Sequence, residues 1–201
     1  MNNKLIRPVT KLLSDKSKKI VIVSHVNPDG DALGSSLGLY HFLINSGYKN
    51  VDVISPNGFP DFLKWMPGAD KIIIGTKSTS ISTIKIKEAE VIFCLDFNDI
   101  ERTEDLSNRL KKAKGYKILI DHHPDPKDHF DHIISEVSSS STAELIYELI
   151  LLMESEKAVG ARVAECLYAG IVTDTGSFSY ACNNFRTYEI VSHLMKQGID
   201  G

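Results

Sequence analysis

The sequence has no Gly-x-Gly-x-x-Gly turn, no Cys-x-x-Cys pair, no apolar run of membrane-spanning length and no large excess of one charge. Each absence narrows the field. His25-Val-Asn-Pro-Asp29 follows the first apolar run, where a dinucleotide-binding fold would place its glycine turn, so a bare dinucleotide binder is disfavoured. The three cysteines, Cys94, Cys166 and Cys182, are odd in number and far apart. Two sit in apolar runs as candidate buried free thiols, a pattern that suits a reducing cytoplasm. The longest apolar run, around Leu145–Met153, contains Glu148 and falls short of the ~20 residues a span needs, so it reads as a buried helix face. Lys4, Arg7 and Lys11 are followed by no apolar stretch before Ser14–Lys19, so no secretory signal is expected. A formal net charge of -3 gives no sign of a nucleic-acid coat or a membrane-seeking surface. An anionic substrate must therefore be met by a local site.

What is present is ordinary in bulk. The chain has 201 residues, 42% hydrophobic and 24% charged, enough for one sizeable domain. Apolar runs rich in β-branched residues predict strands at Ile20–Ser24, Val51–Ser55, Lys71–Ile74, Val91–Leu95 and Lys117–Ile120. Helical periodicity predicts helices over residues 4–13, Ala32–Asn45, Thr103–Lys114, Ala158–Thr173 and Thr187–Gln197. Ser141 and Glu144 have the spacing of a capping box before a helix that buries Leu145, Ile146, Leu149 and Ile150. The serine-rich stretch 78–83 reads as a surface loop. Strands alternating with helices imply βαβ units, hence an α/β fold: a three-layer, Rossmann-like domain with a mostly parallel sheet flanked by helices.

Three of these strands run straight into metal-type ligands: His25, Asp96, and Asp121-His122-His123. Ligands of an open parallel sheet bind beyond the carboxyl ends of its strands, so these residues should converge on one edge. Asp29 and Asp31 sit in a Pro/Gly loop and could face two ions or merely cap the next helix. Taken alone, an Asp after a strand such as Asp96 is usually a turn residue or a helix cap, and His129 and His132 read as solvated loop positions. Asp174 ends an apolar helix, where the dipole disfavours a carboxylate and a nearby cation would relieve the conflict. Together the clusters supply two imidazoles and four carboxylates, enough for two ions with one carboxylate bridging. Oxygen and nitrogen donors without thiolate favour Mn²⁺, with Fe²⁺, Co²⁺ or Mg²⁺ as alternatives, and argue against structural zinc.

In this order, His25-x-x-Pro28-Asp29-x-Asp31, Asp96, Asp121-His122-His123 and Thr173-Asp174-Thr175-Gly176 resemble the four motifs of the DHH phosphoesterase superfamily. The stretch Asn27–Ser35 is most similar to its nanoRNase branch, the bifunctional oligoribonuclease and PAP phosphatases. The resemblance implies that His25, Asp29 and Asp96 hold one ion, and Asp31, Asp96, His122 and Asp174 the other. Asp121 would orient His122, and a metal-bridging hydroxide would be the nucleophile. His123 would face the phosphate as donor or general acid. Arg186 and Thr187 would touch substrate phosphate, unless Arg186 forms a surface salt bridge.

The resemblance further implies a cytoplasmic hydrolase acting on phosphodiester bonds of short single-stranded oligonucleotides or dinucleotides, with the 3′-phosphate of pAp as an added target. Alternatives are a cyclic-dinucleotide phosphodiesterase, an exopolyphosphatase or pyrophosphatase, and a nucleotide-binding sensor. Members of this branch continue into a smaller DHHA1 domain, and no stretch here resembles it. Residues 1–198 are therefore expected to form the DHH catalytic domain, with 199–201 starting an interdomain linker. Substrate choice should lie largely in the other domain.

Overall fold

The computed structural model describes residues 3–153, 158–180 and 183–200; Cys182 and Gly201 lie outside them. Six strands, β1 (Ile20–Val23), β2 (Val51–Ser55), β3 (Ile73–Ile74), β4 (Val91–Leu95), β5 (Tyr116–Asp121) and β6 (His132–Ser135), form one sheet in the order β3-β2-β1-β4-β5-β6. Every neighbouring pair is parallel. This is the strand order of the doubly wound dinucleotide-binding fold. The order reverses between β1 and β4, and at such a point loops leave in opposite directions and open a crevice.

Side-chain alternation splits the core into two layers. Ile20, Ile22, Phe93, Leu95, Ile118 and Ile120 face helices α1 (Asn3–Leu12), α2 (Gly30–Asn45), α5 (Thr142–Met153), α6 (Ala161–Asp174) and α7 (Phe185–Met195). Val21, Val23, Ile92, Cys94 and Leu119 face the thinner layer of α3 (Thr79–Glu88) and α4 (Ser107–Lys112). Cys94 and Cys166 are buried free thiols, and burial pushes Cys94 up to about 12. Among the described residues no helix is long and apolar enough to cross a membrane.

The close approach of α2 to α6 positions the site. A Cβ added at Gly34 would stand 2.5 Å from the Cys166 carbonyl oxygen and 2.9 Å from Gly170 Cα. Both are backbone atoms, so the helices would have to separate. Gly34→Ala is expected to lower stability by about 1–3 kcal/mol, because overpacking outweighs alanine's better helix propensity. A urea midpoint equal to or above the parent's would contradict this.

Three local expectations change. Residues 79–88 are helical rather than loop, with Ser82 and Ile86 buried. The expected helix Thr103–Lys114 is a 3-10 segment, Ile100–Leu106, followed by α4, with a kink at Glu104 (φ 44°, ψ -111°). Strand β6 had not been anticipated; His132, expected in a solvated loop, starts it, and its Nε2 bonds the Leu5 carbonyl at 2.7 Å.

Candidate metal centre

The carboxyl ends of β1, β4 and β5 deliver His25, Asp96 and Asp121–His123 to one edge of the sheet, flanking the reversal. The N-terminus of α2 brings Asp29 and Asp31, and the C-terminus of α6 brings Asp174. These two helix ends touch, since a Cβ on Gly30 would lie within 2.3 Å of Thr173 Oγ1.

Asp96 stands at the centre. Its Oδ2 is 3.5 Å from His25 Nε2, and its Oδ1 is 3.6 Å from His122 Nε2. Its backbone is left-handed, φ 65°, a conformation Asp tolerates better than most residues. The Thr142 hydroxyl donates to Oδ1 at 2.9 Å. His25 Nδ1 donates to the Val26 carbonyl at 2.8 Å, which leaves the Nε2 lone pair for the site. Asp29 Oδ2 lies 4.0 Å from that Nε2, while its Oδ1 accepts the Asp31 and Ala32 N–H groups. Asp29 is thus a helix cap with one oxygen left over. Asn27, at φ 52°, is clamped by Asn57: its N–H donates to Asn57 Oδ1 at 2.7 Å.

Asp31 is fully buried and does not cap its own helix. Its oxygens accept the Thr142 N–H at 2.6 Å and the Ala143 N–H at 2.9 Å, so it caps α5. Burial and the charges of Asp96 and Asp174 hold its pKa well above the usual carboxylate range, against those two hydrogen bonds. Asp174 Oδ2 is 3.4 Å from His122 Nε2. Burial raises Asp174 to about 6; His122 opposes the shift, while Asp96 and Asp29 add to it. At His25 burial acts downward, but the Asp96 carboxylate and Val26 carbonyl outweigh it and the net shift is up.

Three groups bring donor atoms within 4.8 Å of one another: His25, Asp29 and Asp96; Asp31, His122 and Asp174; Asp96, His122 and His123. Donors bound to one ion at ~2.0–2.2 Å and 90–120° lie roughly 3–4 Å apart. The contacts of His25 with Asp29 and Asp96 and of His122 with Asp96 and Asp174, at 3.4–4.0 Å, match that spacing. The donor chemistry also fits, because four carboxylates, Asp31 and Asp96 of them buried, crowd one edge and a cation relieves their repulsion.

Two placements differ from expectation. Asp121 pairs with His123, not His122: His123 Nδ1 donates to Asp121 Oδ1 at 2.7 Å. The strand ends at Asp121, and in the loop after it both histidines turn toward Asp96 Oδ1, His122 Nε2 at 3.6 Å and His123 Nδ1 at 3.7 Å, but only His123 also meets Asp121. The Asp121 bond raises the His123 pKa, burial opposing. Thr187 is fully buried and donates to Glu144 Oε2 at 3.1 Å, so its hydroxyl is not exposed for a substrate phosphate. Arg186 Nε donates to Glu148 Oε1 at 3.2 Å and Nη1 to Glu189 Oε2 at 3.5 Å, the salt-bridge alternative. Sequence reasoning missed Thr142; the only hint was a polar run before a helix.

A doubly wound parallel sheet with candidate metal-binding groups of imidazole and carboxylate at its reversal defines the class. The chain belongs to the DHH family, whose N-terminal domain matches residues 19–171. It is 30% identical over 195 residues, 96% of its length and 55% of the relative's, to the bifunctional oligoribonuclease and PAP phosphatase NrnA of Thermus thermophilus. It is 27% identical over 208 residues, 98% of its length and 30% of the relative's, to the cyclic-di-AMP phosphodiesterase GdpP of Geobacillus thermodenitrificans. The crystal structure of an exopolyphosphatase-related protein from Bacteroides fragilis superposes with a TM-score of 0.96 at 48% identity, over 99% of this chain and 58% of that one. The chain thus spans about half the length, or less, of the proteins it matches.

Proposed function

We propose that the chain carries the catalytic site of a metal-dependent phosphoesterase that cleaves phosphodiester bonds of short oligonucleotides or dinucleotides, and also the 3′-phosphate of pAp. The observation behind this is Asp96, whose two oxygens face different histidines in two adjoining ligand groups. We assign His25, Asp29 and Asp96 to one ion, and Asp31, Asp96, His122 and Asp174 to the other. Mn²⁺ suits this oxygen and nitrogen set. Two such ions, when bound, make water acidic enough to attack phosphorus and neutralise charge on the phosphoryl oxygens.

The chain's own residues do the rest. Asp31 and Asp29 hold α5 and α2 in place while keeping lone pairs for the site. His123, with Nδ1 fixed on Asp121, has Nε2 free to give a proton to the leaving oxygen as the phosphorus–oxygen bond breaks. Residues 1–198 form one catalytic domain in this reading, with 199–201 opening a linker, and its buried thiols fit a cytoplasmic protein.

The activities named for the Thermus relative favour the oligonucleotide reading. The Bacteroides structure favours a second, exopolyphosphatase activity. A panel with Mn²⁺ and the protein as it occurs separates them: a dinucleotide, pAp, cyclic-di-AMP and tripolyphosphate. The dinucleotide is expected to be turned over fastest, with pAp next. A preference for tripolyphosphate would replace the first reading by the second, and for cyclic-di-AMP by the cyclic-dinucleotide one. No turnover of any would sink the enzymatic reading.

A further inference from the structure

The cluster is rich in carboxylates, and a phosphoester adds negative charge to it. A cationic side chain at the substrate is expected, and Arg186 is engaged by Glu148 and Glu189. A different arginine stands beside the site. Arg102 lies in the 3-10 segment Ile100–Leu106, shortly after Asp96. Its carbonyl accepts the Val26 N–H at 2.9 Å, and its own N–H donates to the Asp99 carbonyl at 3.0 Å.

The same connection also reaches the other way. Asn98 Nδ2 donates to the Pro124 carbonyl at 2.7 Å, and the Lys127 N–H donates to the Asn98 carbonyl at 2.8 Å. The connection 98–102 is therefore tied through Arg102 to the loop that carries His25 and through Asn98 to the loop that follows His123. Arg102 carries a charge that works against the upward pull of Asp121 on the His123 pKa. It is half-buried, and among the described residues its guanidinium has no carboxylate partner within ion-pair distance. The kink at Glu104 turns the chain away just after it.

We propose that Arg102 is a substrate-binding residue, whose guanidinium takes a non-bridging oxygen of the phosphoryl group beside His123. The assignment rests on the phosphoesterase reading above. A guanidinium offers a planar fork of donors that matches two oxygens, which a lysine cannot reproduce. Arg102 acts together with the ions: they neutralise one side of the phosphoryl group and the guanidinium the other.

The test uses the Mn²⁺-loaded protein with Arg102→Ala and Arg102→Lys. A nitrophenyl phosphodiester serves as substrate and adenosine monophosphate as the product-like anion. Arg102→Ala is expected to lower kcat/KM by about 100-fold and weaken the monophosphate by about tenfold, with Arg102→Lys between it and the parent. Added guanidinium ion should restore part of the alanine variant's turnover, which a merely structural role would not allow. Mn²⁺ affinity by calorimetry should stay within about twofold, since Arg102 is not a ligand.

A kcat/KM within about threefold of the parent would overturn the proposal, as would a loss that tracks lost Mn²⁺ affinity and resists guanidinium. Should the alanine variant not fold, Arg102→Lys carries the same readouts. A parent that cleaves no phosphoester would defeat the reading above. Monophosphate affinity alone then decides Arg102, and equal affinity in parent and variant, or none in either, would end it.

Discussion

Asp96→Asn should remove hydrolysis of a nitrophenyl phosphodiester almost completely while making the metal-free protein more stable. The two effects have different causes. Asparagine keeps the left-handed backbone of this position, φ 65°, and can still accept the Thr142 hydroxyl. The fold is therefore retained. What disappears is the second charged oxygen, and with it the bridge between the His25 side and the His122 side of the centre. Loss of one shared ligand that holds two charge-stabilising ions should cost about 4 kcal/mol or more of transition-state stabilisation, roughly a thousandfold in rate.

In chelator the same substitution deletes one of four crowded carboxylates. Asp31 and Asp174 both sense Asp96 as a repulsive neighbour, so its neutralisation relaxes them. Melting at pH 8.5 rather than near neutrality reduces the part played by the lost attraction to His25, whose charge falls as pH rises. A variant that keeps normal turnover would show that Asp96 does not bridge. A variant inactive and also destabilised in chelator would mean that Asp96 is structural.

The centre was legible in the sequence for a simple reason. β1, β4 and β5 are continuous runs of β-branched and large apolar residues, buried on both faces, and each ends abruptly on a polar ligand. A parallel sheet places all such ends on one edge, so convergence of His25, Asp96 and His122 follows from strand identity alone. Elements lacking that density were not legible. α3 is Thr-Ser-Ile-Ser-Thr at its start, poor in intrinsic helix formers, and is held by packing of Ser82 and Ile86. β6 is four residues at the sheet edge, and only pairing with β5 makes it a strand.

Partner choice at single side chains was the other gap. Asp121 bonds His123 rather than His122, a choice made in the loop after β5, where both rings converge on Asp96 and no sequence pattern distinguishes them. The role of Asp31 at the start of α5 joins positions more than a hundred residues apart, and no local pattern carries it. The capping box is half present: the Glu144 N–H donates to Ser141 Oγ at 3.1 Å, but the Glu144 carboxylate accepts from Ser140 rather than returning to Ser141.

Chelation should lower the melting temperature, and by more at pH 7.5 than at pH 5. In the metal-free protein Asp31 is held well above the carboxylate range and Asp174 at about 6, each chiefly by burial. A carboxyl whose folded pKa exceeds its unfolded value binds its proton more tightly in the native state. Its contribution to stability is present at low pH and is lost as pH rises from the unfolded value, about 4, through the folded one. Without ions the fold therefore weakens as pH rises from about 4 through the Asp174 value of about 6, and as Asp31 is forced to ionise beside it. Divalent ions invert this, because they bind the ionised carboxylates and compete with the protons. At a thousand times its Kd a single ion adds about 4 kcal/mol, roughly 8–16 °C for a chain of this size, and the increment shrinks as protons displace it. The check is a pair of thermal melts, with Mn²⁺ and with chelator, at pH 5, 6 and 7.5. A gap that widens steadily with pH is the expected result. A gap independent of pH would mean that Asp31 and Asp174 are not displaced protons' sites at the metal centre, and no gap at any pH would remove the ions from the description of this fold.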